Sequence, residues 1–263
     1  MDFSGYQRIR ATRRGRVLTL ALANGKVNAV DGQMHKELAR VFLDAQDDDD
    51  SDLVILTGEG RAFCAGGDTD WFKRQIEDPR HFRAIAPEAK RIVSSLLELE
   101  KPLVCRLNGA AAGLGATIAL MSDVIVAADT AMIGDPHIKV GLVAGDGGAI
   151  IWPQLIGFAR AKELLMTGDL LPAAEAARMG LINYAVPADE LDARVDELVE
   201  KILGNPRWAV RWTKTVANIP LRELAARLSD PAVAYEILSN MTEDRKEAVA
   251  AFIDKRKPDL TGE

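Results

Sequence analysis

The chain has 263 residues, 48% apolar and 27% charged. A chain of this length buries roughly 75% of its unfolded surface and needs no disulfide or metal staple, and the composition argues against a disordered or fibrous protein. Its 39 acidic and 33 basic residues give a net charge of −6, which argues against broad binding to nucleic acid or an anionic membrane surface.

The first ten residues already carry Asp2, Arg8 and Arg10 and no apolar stretch, so secretion is not expected. Cys64 and Cys105 make no disulfide framework, and a reduced, cytoplasmic setting fits them best. Residues 17–21 alternate in polarity like a hairpin strand. The acidic run 47–50 reads as a solvated helix end. Three apolar runs, 53–56, 103–105 and 124–126, have the continuous character of strands buried on both faces. Each ends in a turn of small residues, and a helical pattern follows. Repeated strand–turn–helix units predict an α/β protein with a largely parallel sheet. The longest weakly polar run, 109–121, is too short to span a bilayer.

From about Leu191 the texture becomes helical. The periodicity predicts helices over 191–203, 207–217, 221–238 and 242–253, with Asn205-Pro206, Ile219-Pro220 and Lys257-Pro258 as breakers. The chain therefore divides into a core, 1–190, and a C-terminal helical region, 191–263, the kind of surface that mediates self-association. Trp208 and Trp212, four apart on one helix face, read as packing residues with an interface role open.

Two glycine-containing turns follow strand ends: Arg61-Ala62-Phe63-Cys64-Ala65-Gly66-Gly67-Asp68 and Asn108-Gly109-Ala110-Ala111-Ala112-Gly113-Leu114-Gly115. Ligand crevices of open α/β sheets form at such ends, and the second turn opens a helix whose first amides favour negative charge. Two amides converging on one oxygen would form an oxyanion hole. Neither turn fits a P-loop or a dinucleotide fingerprint.

These turns, with Ser122-Asp123, Gly141-Leu142 and Gly145-Asp146-Gly147-Gly148, resemble the enoyl-CoA hydratase/isomerase (crotonase) superfamily. Asn28-Ala29, the segment 165–181 and the tail Phe252-Ile253-Asp254-Lys255-Arg256 extend the likeness over nearly the whole chain. The resemblance implies a spiral of ββα units topped by a helical oligomerisation region, assembled as a homotrimer or a dimer of trimers. It implies an acyl-CoA thioester substrate, coenzyme A entering only as part of that substrate, and no metal or redox cofactor. Carried over by residue, the oxyanion amides are those of Gly67 and Leu114. Lys26, Ala65 and Asp68 fall where the family holds the CoA nucleotide, and Phe252 and Lys255 would reach in from a neighbouring subunit. The run Lys255-Arg256-Lys257 would meet the CoA phosphates or remain a solvated tail.

The acid/base positions depart from the hydratase pattern. The family's hydratases place glutamates at two positions that here hold Thr117 and His137. Thr117 has no accessible ionisation and is left with a substrate-side or local structural role. His137 titrates near neutrality, which suits proton transfer. Asp146, nine residues on, would orient that imidazole, act as a base, or cap the helix starting near Gly148. This His…Gly-Asp-Gly arrangement is similar to a family branch that cleaves C–C bonds of cyclic β-diketones with a His–Asp pair activating water, although no histidine stands at or beside Leu114 to match that branch's other acid/base residues. The expected function is thus an acyl-CoA enzyme that stabilises a thioester enolate, labelled a hydratase and so a lyase. The alternatives are isomerisation, decarboxylation, C–C or thioester hydrolysis, and silent acyl-CoA binding. His35 and His81 read as surface residues, neither cysteine has a base partner, and the histidines and cysteines show no metal-ligand spacing.

Overall fold

The computed structural model describes residues 1–263. Strands β1 (Ile9–Arg14) and β2 (Val17–Leu22) form the expected antiparallel hairpin. Helix α1 (Gly32–Gln46) crosses to β3 (Leu53–Gly58), and helices α2 (Thr69–Glu77) and α3 (Pro79–Glu98) lead to β4 (Leu103–Leu107). A short strand β5 (Ala111–Ala112) precedes helix α4 (Leu114–Leu120), then β6 (Val124–Ala128) and β7 (Met132–Gly134). A 3-10 turn (Pro136–Val140), helices α5 (Gly148–Ile156) and α6 (Phe158–Thr167), strand β8 (Leu170–Pro172), helix α7 (Ala173–Arg178) and β9 (Tyr184–Val186) complete the α/β part.

The main sheet runs β1-β2-β3-β4-β6-β9 and is parallel from β2 onward. A smaller sheet runs β5-β7-β8. Alternate side chains of the main sheet enter two different cores. Val54, Leu56, Cys105, Leu107 and Ile125 join the large core with α1, α3 and α4. Leu53, Ile55, Val104 and Val126 pack with Leu191, Val195 and Val199 of helix α8 (Leu191–Leu203). Burial on both faces is why these strands read as unbroken apolar runs rather than alternating ones.

The C-terminal region differs from expectation at one break. Arg207–Ser239 is a single helix, α9, that passes through Pro220 and Pro231. Each proline forfeits one backbone donor and crowds the turn before it. Both residues lie on the exposed side, while Leu221, Leu224 and Ala225 pack on the large core and hold the helix together across the gap. Helix α10 (Glu243–Asp254) closes the chain against α2 and the 3-10 turn. No helix is long and apolar enough to cross a membrane.

The acidic run 47–50 is also not wholly solvated. Asp48 is buried and accepts from Arg13 Nη2 at 2.5 Å, which holds its carboxyl down at about 2 against the opposing cost of burial. The chain folds the run inward because Lys101, itself buried, donates to the carbonyls of Ala45 and Asp48 at the end of α1.

Candidate active site

The site assembles where the parallel strands end, as α/β crevices do. Two motif asparagines fix the loop after β3. Asn28 Nδ2 donates to the carbonyls of Glu59 and Ala62, each at 2.9 Å, and of Phe63 at 3.2 Å. Asn108 accepts from the Gly58 amide at 3.0 Å and donates to the Gly60 and Ala62 carbonyls. That loop carries Gly67. On the other side Gly113 turns the chain into α4 at φ +55°, a conformation that favours glycine. A Cβ on Gly113 would sit 3.2 Å from His137 Cε1, so the glycine also makes room for the imidazole.

One cavity is lined by Gly67, Leu114, His137 and Asp146 together, along with His35 and Glu236. The Gly67 and Leu114 amides donate to no other group of the protein; Leu114 is the first residue of its helix, where no internal acceptor exists.

His137 lies between two carboxylates. Its Nδ1 is 2.5 Å from Asp135 Oδ1 and its Nε2 is 3.4 Å from Asp146 Oδ2. Burial alone would lower its pKa, but the charges of Asp135 and Asp146 outweigh that and raise it to about 10. The imidazole is therefore held as the imidazolium at neutral pH. Burial raises the Asp146 pKa, with His137 opposing and Asp135 adding to the rise. Thr117 is completely buried behind Asp146, its hydroxyl 3.4 Å from Asp146 Oδ1, and it does not line the cavity; it backs the carboxylate rather than facing a substrate. Asp146 does not cap α5, whose N-cap is Gly147.

Asp135, His137 and Asp146 each offer a ligand atom, all within 4.8 Å of one another. Because each ring nitrogen already faces a carboxylate, the arrangement suits a held proton better than a metal ion. Cys64 and Cys105 are buried, and burial pushes the Cys64 thiol up to about 12 and raises that of Cys105 further.

The remaining predicted positions lie away from this cavity. Lys26 and Ala65 are exposed, brought side by side by the Ala65 amide donating to the Val27 carbonyl at 3.0 Å. The Asp68 carboxylate caps α2, accepting from the amides of Asp70 and Trp71. Phe252 is exposed near the end of α10, and Lys255 forms its left-handed C-cap. Arg256 of the basic tail pairs with Glu247 on the same helix.

Three residues of the site were not foreseen. Asp135 stands two residues before His137 and also caps the 3-10 turn. Glu236 comes from α9 and is buried, its pKa raised to about 8 by burial and by the Asp146 charge. Gly145 makes room for it: a Cβ there would meet Glu236 Oε2 at 2.8 Å and the Ala232 carbonyl at 2.4 Å. His35, expected at the surface, is 3% exposed. It lies three and seven residues before Leu38 and Phe42 on the buried face of α1, a spacing that marks it as inward-facing. His81 is exposed, as expected.

An α/β fold with a cavity at its strand ends belongs to the class of folds that bind ligands in such a crevice, and the comparisons specify the family. The enoyl-CoA hydratase/isomerase family matches residues 12–263. The crotonyl-CoA hydratase of Syntrophomonas wolfei is 33% identical over 234 residues, covering 88% of each chain. The crystal structure of an enoyl-CoA hydratase/isomerase from Mycobacterium paratuberculosis aligns with a TM-score of 0.88 at 34% identity, over 92% of this chain and 97% of that one. A β-diketone hydrolase from the cyanobacterium Anabaena sp. PCC 7120, bound to (S)-3-oxocyclohexyl acetic acid, aligns with a TM-score of 0.85 at 28% identity, over 91% and 96%. The chain belongs to the enoyl-CoA hydratase/isomerase family.

Proposed function

We propose that this chain is an acyl-CoA enzyme that adds water across an enoyl thioester, holding the enolate oxygen between the Gly67 and Leu114 amides. One observation carries the reading: two amides without protein acceptors line the same cavity as a charged imidazole and its carboxylates. When water adds to the β-carbon, negative charge develops on the thioester oxygen. Fixed amide donors stabilise it without reorganising, and each is worth roughly 3–4 kcal/mol in such sites. The His137 imidazolium then supplies the proton that the α-carbon needs, and Asp135 and Asp146 keep it charged until that moment. Coenzyme A enters as part of the substrate, and no other cofactor is required by these steps. Lys26, Ala65 and Asp68 would meet its nucleotide, with Phe252 and Lys255 contributed by a neighbouring subunit of a homotrimer or a dimer of trimers.

A second reading, hydrolytic C–C cleavage of a β-diketone, is favoured by the His137–Asp146 contact and by Thr117 and His137 standing at the hydratase glutamate positions. It uses the same enolate and the same proton donor. The two are told apart by offering crotonyl-CoA and following loss of the conjugated thioester's ultraviolet absorbance, and by offering a cyclic 1,3-diketone and following the ring-opened acid. We expect His137→Ala to lower kcat by about 10²–10⁴-fold with whichever substrate reacts. Full activity of His137→Ala would remove the imidazole from the chemistry.

A further inference from the structure

The proton inventory of the cavity lacks an obvious base. His137 is already protonated at neutral pH and cannot accept a proton from water. Glu236 keeps its own proton up to about pH 8. Asp146 is engaged by His137 and by the Thr117 hydroxyl. Yet water must lose a proton as it attacks.

A second imidazole opens into the same space. His35 of α1 is buried, with Nδ1 2.8 Å from Glu88 Oε2 of α3. Its ring packs on Trp71 of α2, centroids 5.4 Å apart. Its Nε2 bonds no protein group and is not among the buried polar atoms sealed off without a partner, and His35 lines the cavity; we infer that this nitrogen is reached from there. A carboxylate holding Nδ1–H leaves the lone pair on Nε2, and it stabilises the imidazolium that forms when Nε2 takes a proton. Three helices thus fix one ring, with its basic nitrogen facing the reaction space.

We propose that His35, positioned by Glu88, is the general base that deprotonates the attacking water, leaving His137 as the acid. This rests on the enzymatic reading above. In hydration, an O–H bond of water breaks and its proton goes to His35 Nε2. The water oxygen's electron pair forms the C–O bond at the β-carbon, and the C=C pair moves through the α-carbon to the thioester oxygen. The enolate collapses, taking a proton from His137 at the α-carbon. Proton exchange from His35 to His137 through cavity water restores both rings. In β-diketone cleavage the same deprotonated water adds to a ketone carbon, and His137 again protonates the departing enolate carbon.

The test compares wild type, His35→Ala, His35→Asn, Glu88→Gln and His137→Ala, with crotonyl-CoA and with a cyclic 1,3-diketone. His35→Asn keeps a hydrogen bond to Glu88 but accepts no proton, so it separates packing from chemistry. We expect both His35 variants to lose about 10²–10⁴-fold in kcat with KM changed only a few-fold. Added imidazole should restore part of the His35→Ala rate in a saturable way, a response that a purely structural histidine does not give. Glu88→Gln should lower kcat about tenfold, with an unchanged unfolding temperature. If His137→Ala is inactive while His35→Asn folds and turns over at the wild-type rate, the base assignment is wrong and the enzymatic reading stands. The assignment is equally wrong if imidazole leaves a folded His35→Ala unrescued. If wild type turns over neither substrate, the enzymatic reading itself falls and this proposal with it.

Discussion

Glu236 shows what a single buried carboxyl does to a molecule. Its ordinary value is 4.5; burial, and next the Asp146 charge, raise it to about 8 in the folded chain. Between those two values the unfolded chain releases this proton while the folded chain keeps it, so stability falls as pH rises from about 4.5 to about 8 and levels off above that. Glu236→Gln carries no titrating proton. We expect the variant's unfolding free energy to improve relative to wild type across that window and the difference to stay constant beyond it, as read by urea denaturation at a series of pH values. His137 acts in the same direction between 6.5 and about 10, and the Glu236 charge adds to that rise, so the difference reports Glu236 most directly between about pH 4.5 and 6.5. A flat difference from pH 4.5 to 8 would mean that the carboxyl ionises normally. Glu236 was not legible in the sequence, because a lone glutamate in a long amphipathic helix looks solvated; only its spacing from buried Val233, and from buried Asn240 at the helix's C-cap, hints otherwise. That His137, Asp146, Gly67 and Leu114 belong together was suggested by the short motifs they sit in, and one cavity is lined by all four. Asp135 lay within reach, two residues from His137, but its role depends on the ring turning back toward it.

At the scale of elements, local rules succeeded where burial reinforced them and failed where packing overrode them. The apolar runs that became β3, β4 and β6 are buried on both faces, so their pattern and their fate agree. Pro220 misled for the opposite reason. A proline rule concerns one missing hydrogen bond and one clash, and it ignores the Leu221, Leu224 and Ala225 contacts that carry α9 through. Those contacts offset a cost that the helix still bears, since proline in a helix interior is about 3 kcal/mol less favourable than alanine. Pro220 is exposed and lies sixteen residues before Glu236 along the same helix. Pro220→Ala restores the donor to the Val216 carbonyl without altering a core contact. The expected gain is about 1–3 kcal/mol, visible as a higher denaturant midpoint at unchanged slope, with kcat unaffected. A loss of stability would show instead that the backbone geometry imposed by Pro220 is needed for α9 to pack along α3.

For the whole molecule, the outer face of α9 poses the question that its inner face answers. Trp208 and Trp212 stack with centroids 5.4 Å apart, yet they are 47% and 58% exposed. Val216 and Ile219 extend the same stripe, also exposed. A contiguous apolar stripe of this kind on an otherwise acidic chain is a candidate interface, and we propose that copies of this chain cover it in a closed cyclic assembly, the commonest arrangement of identical chains. The guanidinium groups of Arg207 and Arg211 lie 4.9 Å and 5.3 Å from the Trp208 ring centroid and hold that ring in place, so Trp212 is the side chain left free to anchor a neighbour. Covering one such ring contributes about 2–3 kcal/mol, enough for a single charge there to dominate each contact of a ring. Light scattering should give a mass of three or six chains for wild type and of one chain for Trp212→Glu at micromolar concentration. If Phe252 and Lys255 complete a neighbour's thioester site, that variant should also raise KM for the acyl-CoA while its isolated chains stay folded by circular dichroism. A Trp212→Glu protein that keeps the wild-type mass would show that the stripe lies outside the interface.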